Sequence, residues 1–310
     1  MRSHIIILLW IGSAIALFVP IDCNQQAIVI VDQDGEKGQV IYPEQQKVVY
    51  RDDNFGFSFT IEWAIECNNK LYAIKIEADT WKTNIYVFDP ATNTTRYFAN
   101  TTQMYAKSQA TCDGTDIYIF GQDMTTQPLG NVCHTSGPAI CVPGTSPLLM
   151  AYKYRPFSVN HHVFLYDNAH YGTFCNLRPP PSMVSCLYLI EGTSSWQDQL
   201  SVHDNQYQVS IVVVGTTAMF CFENGTCSEY NTTNNKWTAG TSTMAQVRGS
   251  MAMVVLKGDN YVMSVGGNND QQTSTKTIQI YDTKNKKWSV APFELLAPVV
   301  TQLVTAVLTL

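Results

Sequence analysis

Charge is what this chain has least of. Only 14% of its 310 residues are Asp, Glu, Lys or Arg, and 25 acidic against 19 basic side chains leave a formal net charge of −6. With no basic stripe to meet a phosphate backbone, the composition argues against nucleic acid as a partner. Catalytic signatures are equally scarce. The sequence has no Gly-rich phosphate loop, no Gly-x-Ser-x-Gly elbow, no paired-carboxylate constellation and no Asp-x-Gly-x-Thr-Trp box. Thr, Asn, Tyr and Val are plentiful, as half-buried strands and their turns require. The length suits one closed β-domain with a large core.

The N-terminus reads Met1-Arg2-Ser3-His4, then an apolar run from Ile5 to Pro20. A basic start and an apolar run shorter than the about 20 residues of a membrane span predict a secretory signal peptide over residues 1–22, cut between Pro20 and Cys23. An uncleaved anchor is the rival. On the first reading the mature chain, 23–310, has no membrane span. Beyond Cys23 stand Cys67, Cys112, Cys133, Cys141, Cys175, Cys186, Cys221 and Cys227, an even set that in an oxidising compartment reads as disulfides. Asn93, Asn100, Asn224 and Asn231 head Asn-x-Thr sequons in turn-like segments suited to glycans. All three features predict a secreted, extracellular protein.

The stretch from Cys227 to Pro292 carries one phrase twice: Glu229-Tyr230-Asn231-Thr232-Thr233-Asn234-Asn235-Lys236-Trp237, then Ile280-Tyr281-Asp282-Thr283-Lys284-Asn285-Lys286-Lys287-Trp288. Between the copies lie Arg248, the apolar run Met251 to Leu256, and a strand from Tyr261 that ends in Gly266-Gly267. The pattern resembles the kelch repeat: an Arg-led strand, an aromatic strand closed by Gly-Gly, a Tyr-Asp strand, and a Trp seven residues after that Tyr. The resemblance implies an all-β propeller of four-stranded blades, because such a sheet cannot cover both of its faces alone and must stack around an axis. The Gly pair lets a neighbouring backbone approach, Asn-rich turns supply positive φ, and Tyr and Trp fill the space between blades. Only one copy keeps the double Gly; others read Gly121-Gln122 or Gly215-Thr216.

Used as a ruler, the repeat extends over 27–120 and 218–310. The Tyr-Asp strand recurs at Val40-Ile41-Tyr42-Pro43 and Tyr86-Val87-Phe88-Asp89, and the aromatic strand at Leu71-Tyr72-Ala73-Ile74 and Ile117-Tyr118-Ile119-Phe120. The strand that should follow Tyr281 lies beyond Leu310, so Ala27–Asp32 is expected to take its place beside 301–310. That pairing closes the ring through one blade shared by the first and last segments. The apolar run Leu295–Leu310 also suits the discarded tail of a lipid-anchor signal. In the middle, candidate strands are 148–154, 163–166, 186–190, 209–214 and 218–222. Reading Val163-Phe164 and Phe220 as aromatic-strand positions gives six blades. Reading Tyr154 and Leu187-Tyr188 as the Tyr-Asp and aromatic strands fits five, and seven remains open. Residues 122–147, rich in Gly, Pro and Thr, are expected as a loop insertion.

Cys67 and Cys112 hold near-equivalent ends of adjacent innermost strands, so a bridge between them is expected to staple two blades. The remaining pairings expected are Cys133 with Cys141, Cys175 with Cys186, and Cys221 with Cys227. Arg248 and the repeat Tyr and Trp residues are expected to be structural. The enzymatic precedent among secreted kelch-like propellers is the galactose-oxidase type of copper radical oxidase, which needs two His and two Tyr. The candidates here are His134, His161, His162, His170 and His203 with Tyr152, Tyr154, Tyr166 and Tyr171. Adjacent strand residues face opposite ways, so His161 and His162 do not share a site. Asp32-Gln33-Asp34-Gly35-Glu36 reads as a hairpin turn rather than a calcium loop, which needs more oxygen ligands. The sequence thus predicts a non-catalytic propeller with no cofactor or metal, binding an extracellular protein or glycan. A copper oxidase and a structural matrix component are the alternatives.

Overall fold

The computed structural model describes residues 26–31, 38–77, 79–80, 82–101, 105–122, 128–144, 154–167, 183–189, 196–203, 209–249, 251–256, 258–269, 273–299 and 305–309. The expected signal peptide, the loop at 32–37, Cys175 and His170 lie outside them. Among the described residues, twenty-four strands form six four-stranded antiparallel sheets. The first consists of β24 (Thr305–Thr309), β1 (Gln26–Ile30), β2 (Gly38–Tyr42) and β3 (Lys47–Arg51). The second holds β4 (Trp63–Cys67), β5 (Lys70–Ile76), β6 (Thr83–Asp89) and β7 (Thr94–Asn100). The third holds β8 (Tyr105–Cys112), β9 (Asp116–Gln122), β10 (Pro128–His134) and β11 (Cys141–Gly144). The fourth is β12 (Tyr154–Val159), β13 (His162–Asp167), β14 (Met183–Leu189) and β15 (Trp196–His203). The fifth is β16 (Val209–Val214), β17 (Thr217–Phe222), β18 (Thr226–Asn231) and β19 (Lys236–Thr243), and the sixth β20 (Ala252–Val255), β21 (Tyr261–Val265), β22 (Thr275–Asp282) and β23 (Lys287–Val299).

The leading strands touch in cyclic order, β24 to β4 to β8 to β12 to β16 to β20 and back to β24. The sheets are therefore the blades of a propeller, each with its first strand at the axis and its fourth at the rim. Burial follows that order. In the fifth blade β17 is buried almost throughout, while β19 is mostly exposed. Inner strands are covered on both faces by neighbouring blades, so they read as continuous apolar runs.

The seams between blades hold the core. Tyr281 and Trp288, with ring centroids 5.1 Å apart, pack against Val212, Met219 and the Cys221–Cys227 pair of the preceding blade. Tyr230 and Trp237 make the same kind of seam with Phe157, Phe164 and Phe220. Gly266 and Gly267 take φ of 64° and 87°, and a Cβ on either would lie 2.5 Å from the Val299 carbonyl oxygen or 2.6 Å from that of Gly249. This is the close backbone approach that the Gly pair permits.

The ends of the described chain meet in one blade, since β24 pairs with β1 from Gln26–Thr309 to Ile30–Thr305. The apolar run from Leu295 is thus the end of β23 and the strand β24. Several expectations need correction. The segment 122–147 is not a loop insertion, because β10 and β11 pair within it and complete the third blade. Its Gly and Pro content lowers strand propensity, but pairing with β9 overrides that weak local preference. Tyr154 opens the innermost strand β12, and Leu187-Tyr188 belong to the third strand β14, so the five-blade alignment is not the one adopted. Of the strand expected at 148–154, only Tyr154 is among the described residues, where it opens β12 (Tyr154–Val159), and the candidate strands of the middle do not include β15. In the first blade it is Ile41, fully buried against the sixth, that holds the place of the repeat Tyr, one residue before Tyr42.

Candidate functional site

Each leading strand pairs along one edge only, so its other edge faces the axis. Free strand edges carry backbone N–H and C=O groups that need partners. The channel they surround is consequently polar whatever its side chains. It has a volume of about 410 Å³ and is lined from all six leading strands. Several of its polar side chains are spent on the ring itself. Ser158 Oγ on β12 donates to the Cys112 carbonyl on β8, and Ser210 Oγ on β16 donates to the Met251 carbonyl, just before β20, at 2.6 Å. Trp63 Nε1 is buried with no hydrogen-bond partner among the described residues.

Glu66, on β4, is the one ionisable side chain among the lining residues. Burial pushes its carboxyl above the usual carboxylate range, opposed by a hydrogen bond from the Asn69 backbone N–H to Oε1 at 2.7 Å. Asn69 and Asn68 form the two-residue turn between β4 and β5, both with positive φ, as such a hairpin requires. Asn160 and His161 build the same turn in the fourth blade. The channel end where leading strands finish is therefore edged by tight turns. At the other end, where they begin, longer connections arrive from the rim.

One of these arrivals is well described. Arg248, 1% exposed, donates to the carbonyls of Gly266 at 3.0 Å and Thr277 at 2.7 Å, and to Gln246 Oε1 at 2.6 Å. Gln279, buried on β22, accepts from Gln246 N–H and donates to the Gln246 carbonyl. The expectation that Arg248 is structural rests on sound ground: its fork ties the incoming connection to β21 and β22. Between Gln246 and Arg248, Val247 is 38% exposed and lies against Gly225 of the fifth blade. The first blade repeats the Gln device. Gln39, buried on β2, accepts from Leu296 N–H and Ala297 N–H and donates to the Ala297 carbonyl.

Three of the four expected cysteine pairs are bonded: Cys67–Cys112, Cys133–Cys141 and Cys221–Cys227. The first joins the ends of β4 and β8, and the others cross-link paired strands within a blade. For Cys175–Cys186, Cys175 and the Cys186 side chain are outside the described residues. The sequon residues occupy strand ends and turns. Asn93 sits at φ 53° and accepts from Arg51 Nη2 at 2.5 Å. Asn100 ends β7 and is exposed. Asn224 accepts from both the backbone N–H and the hydroxyl of Thr226, and Asn231 from the N–H groups of Thr233 and Asn234. Among the described residues the histidines are not brought together. His134 pairs with Asp116 at 3.1 Å on the third blade, while His161 and His162 stand at a turn of the fourth. Among the described residues no group of three His, Cys, Asp or Glu is placed to hold a metal ion, and no helix is long and apolar enough to cross a membrane.

Glu66, Gln39 and Gln279 were not singled out in the sequence. Gln279 left a faint signal, a polar residue inside the apolar strand Ile278–Tyr281. Glu66 left none. Among protein families, the Kelch motif matches residues 251–292, which span β20 to the start of the rim strand β23. No curated protein matches the chain.

Proposed function

We propose that this kelch-repeat propeller is a secreted, glycosylated, non-catalytic binding protein, whose partner, an extracellular protein or glycan, docks at the channel mouth where the leading strands begin. The observation that carries the reading is the difference between the two mouths. One is edged by tight hairpin turns such as Asn68-Asn69 and Asn160-His161; the other receives the longer connections, on which recognition residues concentrate when a rigid scaffold holds them. Exposed Val247 on the connection anchored by Arg248 is an apolar contact of the kind that such a docking surface uses. Secretion is supported by the basic start and apolar run at residues 1–20 and by the three disulfides.

The test is capture from extracellular fluid and on a glycan array with the purified secreted protein and its Val247→Arg variant. Retained folding with loss of the captured ligand is expected. Equal capture by both proteins would remove this mouth as the docking surface. Metal analysis with a free-thiol count on the same material separates the oxidase alternative, which requires stoichiometric copper.

A further inference from the structure

The fifth blade carries a sequon at each of its ends, and only one of them borders the docking mouth. β17 pairs with β16 from Val209–Phe222 to Val214–Thr217, so the turn 223–225 after Phe222 lies level with the start of β16, at the mouth where leading strands begin. Asn231 closes β18 opposite Thr217 and belongs to the turn-edged end. Within the turn Asn224 is exposed, whereas Gly225 is buried under the connection that leads to the sixth blade. A Cβ on Gly225 would lie 3.0 Å from Val247 Cγ2, and the Gly225 carbonyl accepts from Met244 N–H at 2.8 Å. Anything attached to Asn224 thus starts one residue from the contact with Val247. The Asn224 amide is also disposed to hold an attachment. Its Oδ1 accepts from the Thr226 N–H at 2.8 Å and hydroxyl at 2.7 Å, while its Nδ2 makes no hydrogen bond among the described residues. A sugar on Nδ2 therefore costs the fold no contact.

We propose that Asn224 carries an N-linked glycan that shields the docking mouth around Val247. Granted a secreted propeller with its partner docked at that mouth, on which this inference rests, occupancy of one sequon sets how far the mouth is open. In the transfer, Asn224 Nδ2 bonds to the anomeric carbon of a lipid-diphosphate-linked oligosaccharide. The bond from that carbon to the diphosphate oxygen breaks, the lipid diphosphate leaves with the electron pair, and the amide gives up one proton. The product is a branch of bulky, hydrated sugar rings. Its stem is fixed, because Gly225 is held by Met244 and Val247, and Cys221–Cys227 cross-links the hairpin just behind the turn. A glycan on a fixed stem sweeps one region of space, and Val247 lies within it. Small solutes pass between the sugars, whereas a macromolecule loses directions of approach. A glycan on Asn231 sweeps the opposite end and leaves the mouth open.

The experiment secretes the full chain carrying Val247→p-azidophenylalanine or, as a control, Tyr97→p-azidophenylalanine. Tyr97 is 50% exposed and lies on the second blade, across the ring from the fifth. Glycopeptide mass spectrometry first reports whether Asn224 is occupied. The azide is then labelled with a small cyclooctyne and with one bearing a long polyethylene glycol chain, before and after the sequon is removed by Asn224→Gln or Thr226→Val. At position 247 the rate of the large reagent relative to the small one is expected to rise about tenfold when the sequon is lost, because the glycan restricts approach rather than reactivity. At position 97 the ratio is expected to stay constant, and Asn231→Gln is expected to change neither. An unoccupied Asn224, an unchanged ratio at 247 in both variants, or an equal rise at 97 overturns the proposal. Capture by Val247→Arg reports on the docking surface and labelling on the glycan, so the two readings fail separately.

Discussion

Arg248 shows what a single repeat residue does. Burial pulls its pKa down from the usual arginine value, yet its planar fork meets three neutral acceptors on three segments. A lysine cannot span that fork. Arg248→Lys is expected to destabilise the protein by about 2–4 kcal/mol, seen as a lower urea midpoint at unchanged slope. A loss near zero would return the residue to the pool of ligand-binding candidates. Glu66 makes the opposite kind of contribution. Its folded-state pKa is raised above the ordinary 4.5, so ionising it costs the folded state more than the unfolded one. Stability should fall as pH rises from 4.5 through the raised value and then level off. Tyr72 feels its charge, but burial, the larger effect, raises that phenol further above its ordinary value, so it stays neutral over the same range. Glu66→Gln is therefore expected to melt higher than wild type at neutral pH, with the difference vanishing below pH 4.5; thermal scans across that range check the sign. Arg248 and the Gly pair were legible in the sequence because a repeat displays them. Glu66 was not, because nothing in Trp63-Ala64-Ile65-Glu66 says which space lies beside the strand.

At the level of elements, the disulfides differ in how much chain they constrain. Cys67–Cys112 spans 45 residues and ties two blades, whereas Cys221–Cys227 spans 6 within a hairpin already held by β17–β18 pairing. Loop-closure entropy gives the first about 4 kcal/mol and the second about 2 kcal/mol. The Cys67→Ser/Cys112→Ser double variant should accordingly lose more in denaturant midpoint than Cys221→Ser/Cys227→Ser; the reverse order would mean that the blade seam is held by packing alone. The same distinction between local and distant signals decided which strands could be read in advance. β5, β17 and β21 are apolar runs bounded by turn residues, and they were found close to where they lie. β10 was hidden, since Leu129-Gly130-Asn131-Val132 gains its strand conformation from β9 and from the Cys133–Cys141 bond rather than from its own residues. Ile41 likewise took the place expected of Tyr42 because the sixth blade needs a buried side chain there, which the ruler of aromatic positions could not see.

For the whole molecule, the seam between the sixth and first blades is, among the described residues, the one joined by strands from distant parts of the sequence. Two devices hold it. At the axis β24 pairs with β1 over five positions, and farther out Gln39 grips the Leu296-Ala297 backbone of the sixth blade's rim strand. Gln39→Ala leaves those buried backbone groups unpaired and is expected to cost about 1–3 kcal/mol. Deleting residues 305–310 does more, because it frees the edge of β1 and uncovers Ile28 and Val29, both fully buried in the intact ring. An unpaired apolar edge of that length recruits another chain. Size-exclusion chromatography of the truncated protein should show oligomers or aggregate where the intact protein runs as one species. A circular permutant tests whether pairing or chain order is responsible. With Leu310 joined to Gln26 through one added Gly, to give the two loop residues a hairpin needs, and new ends opened in the exposed turn Gly258–Asn260, the ring keeps its β24–β1 pairing while the seam becomes an ordinary hairpin. That permutant is expected to unfold at or above the intact protein's midpoint and to stay monodisperse. Aggregation of the permutant would place the closing interaction outside the β24–β1 pair.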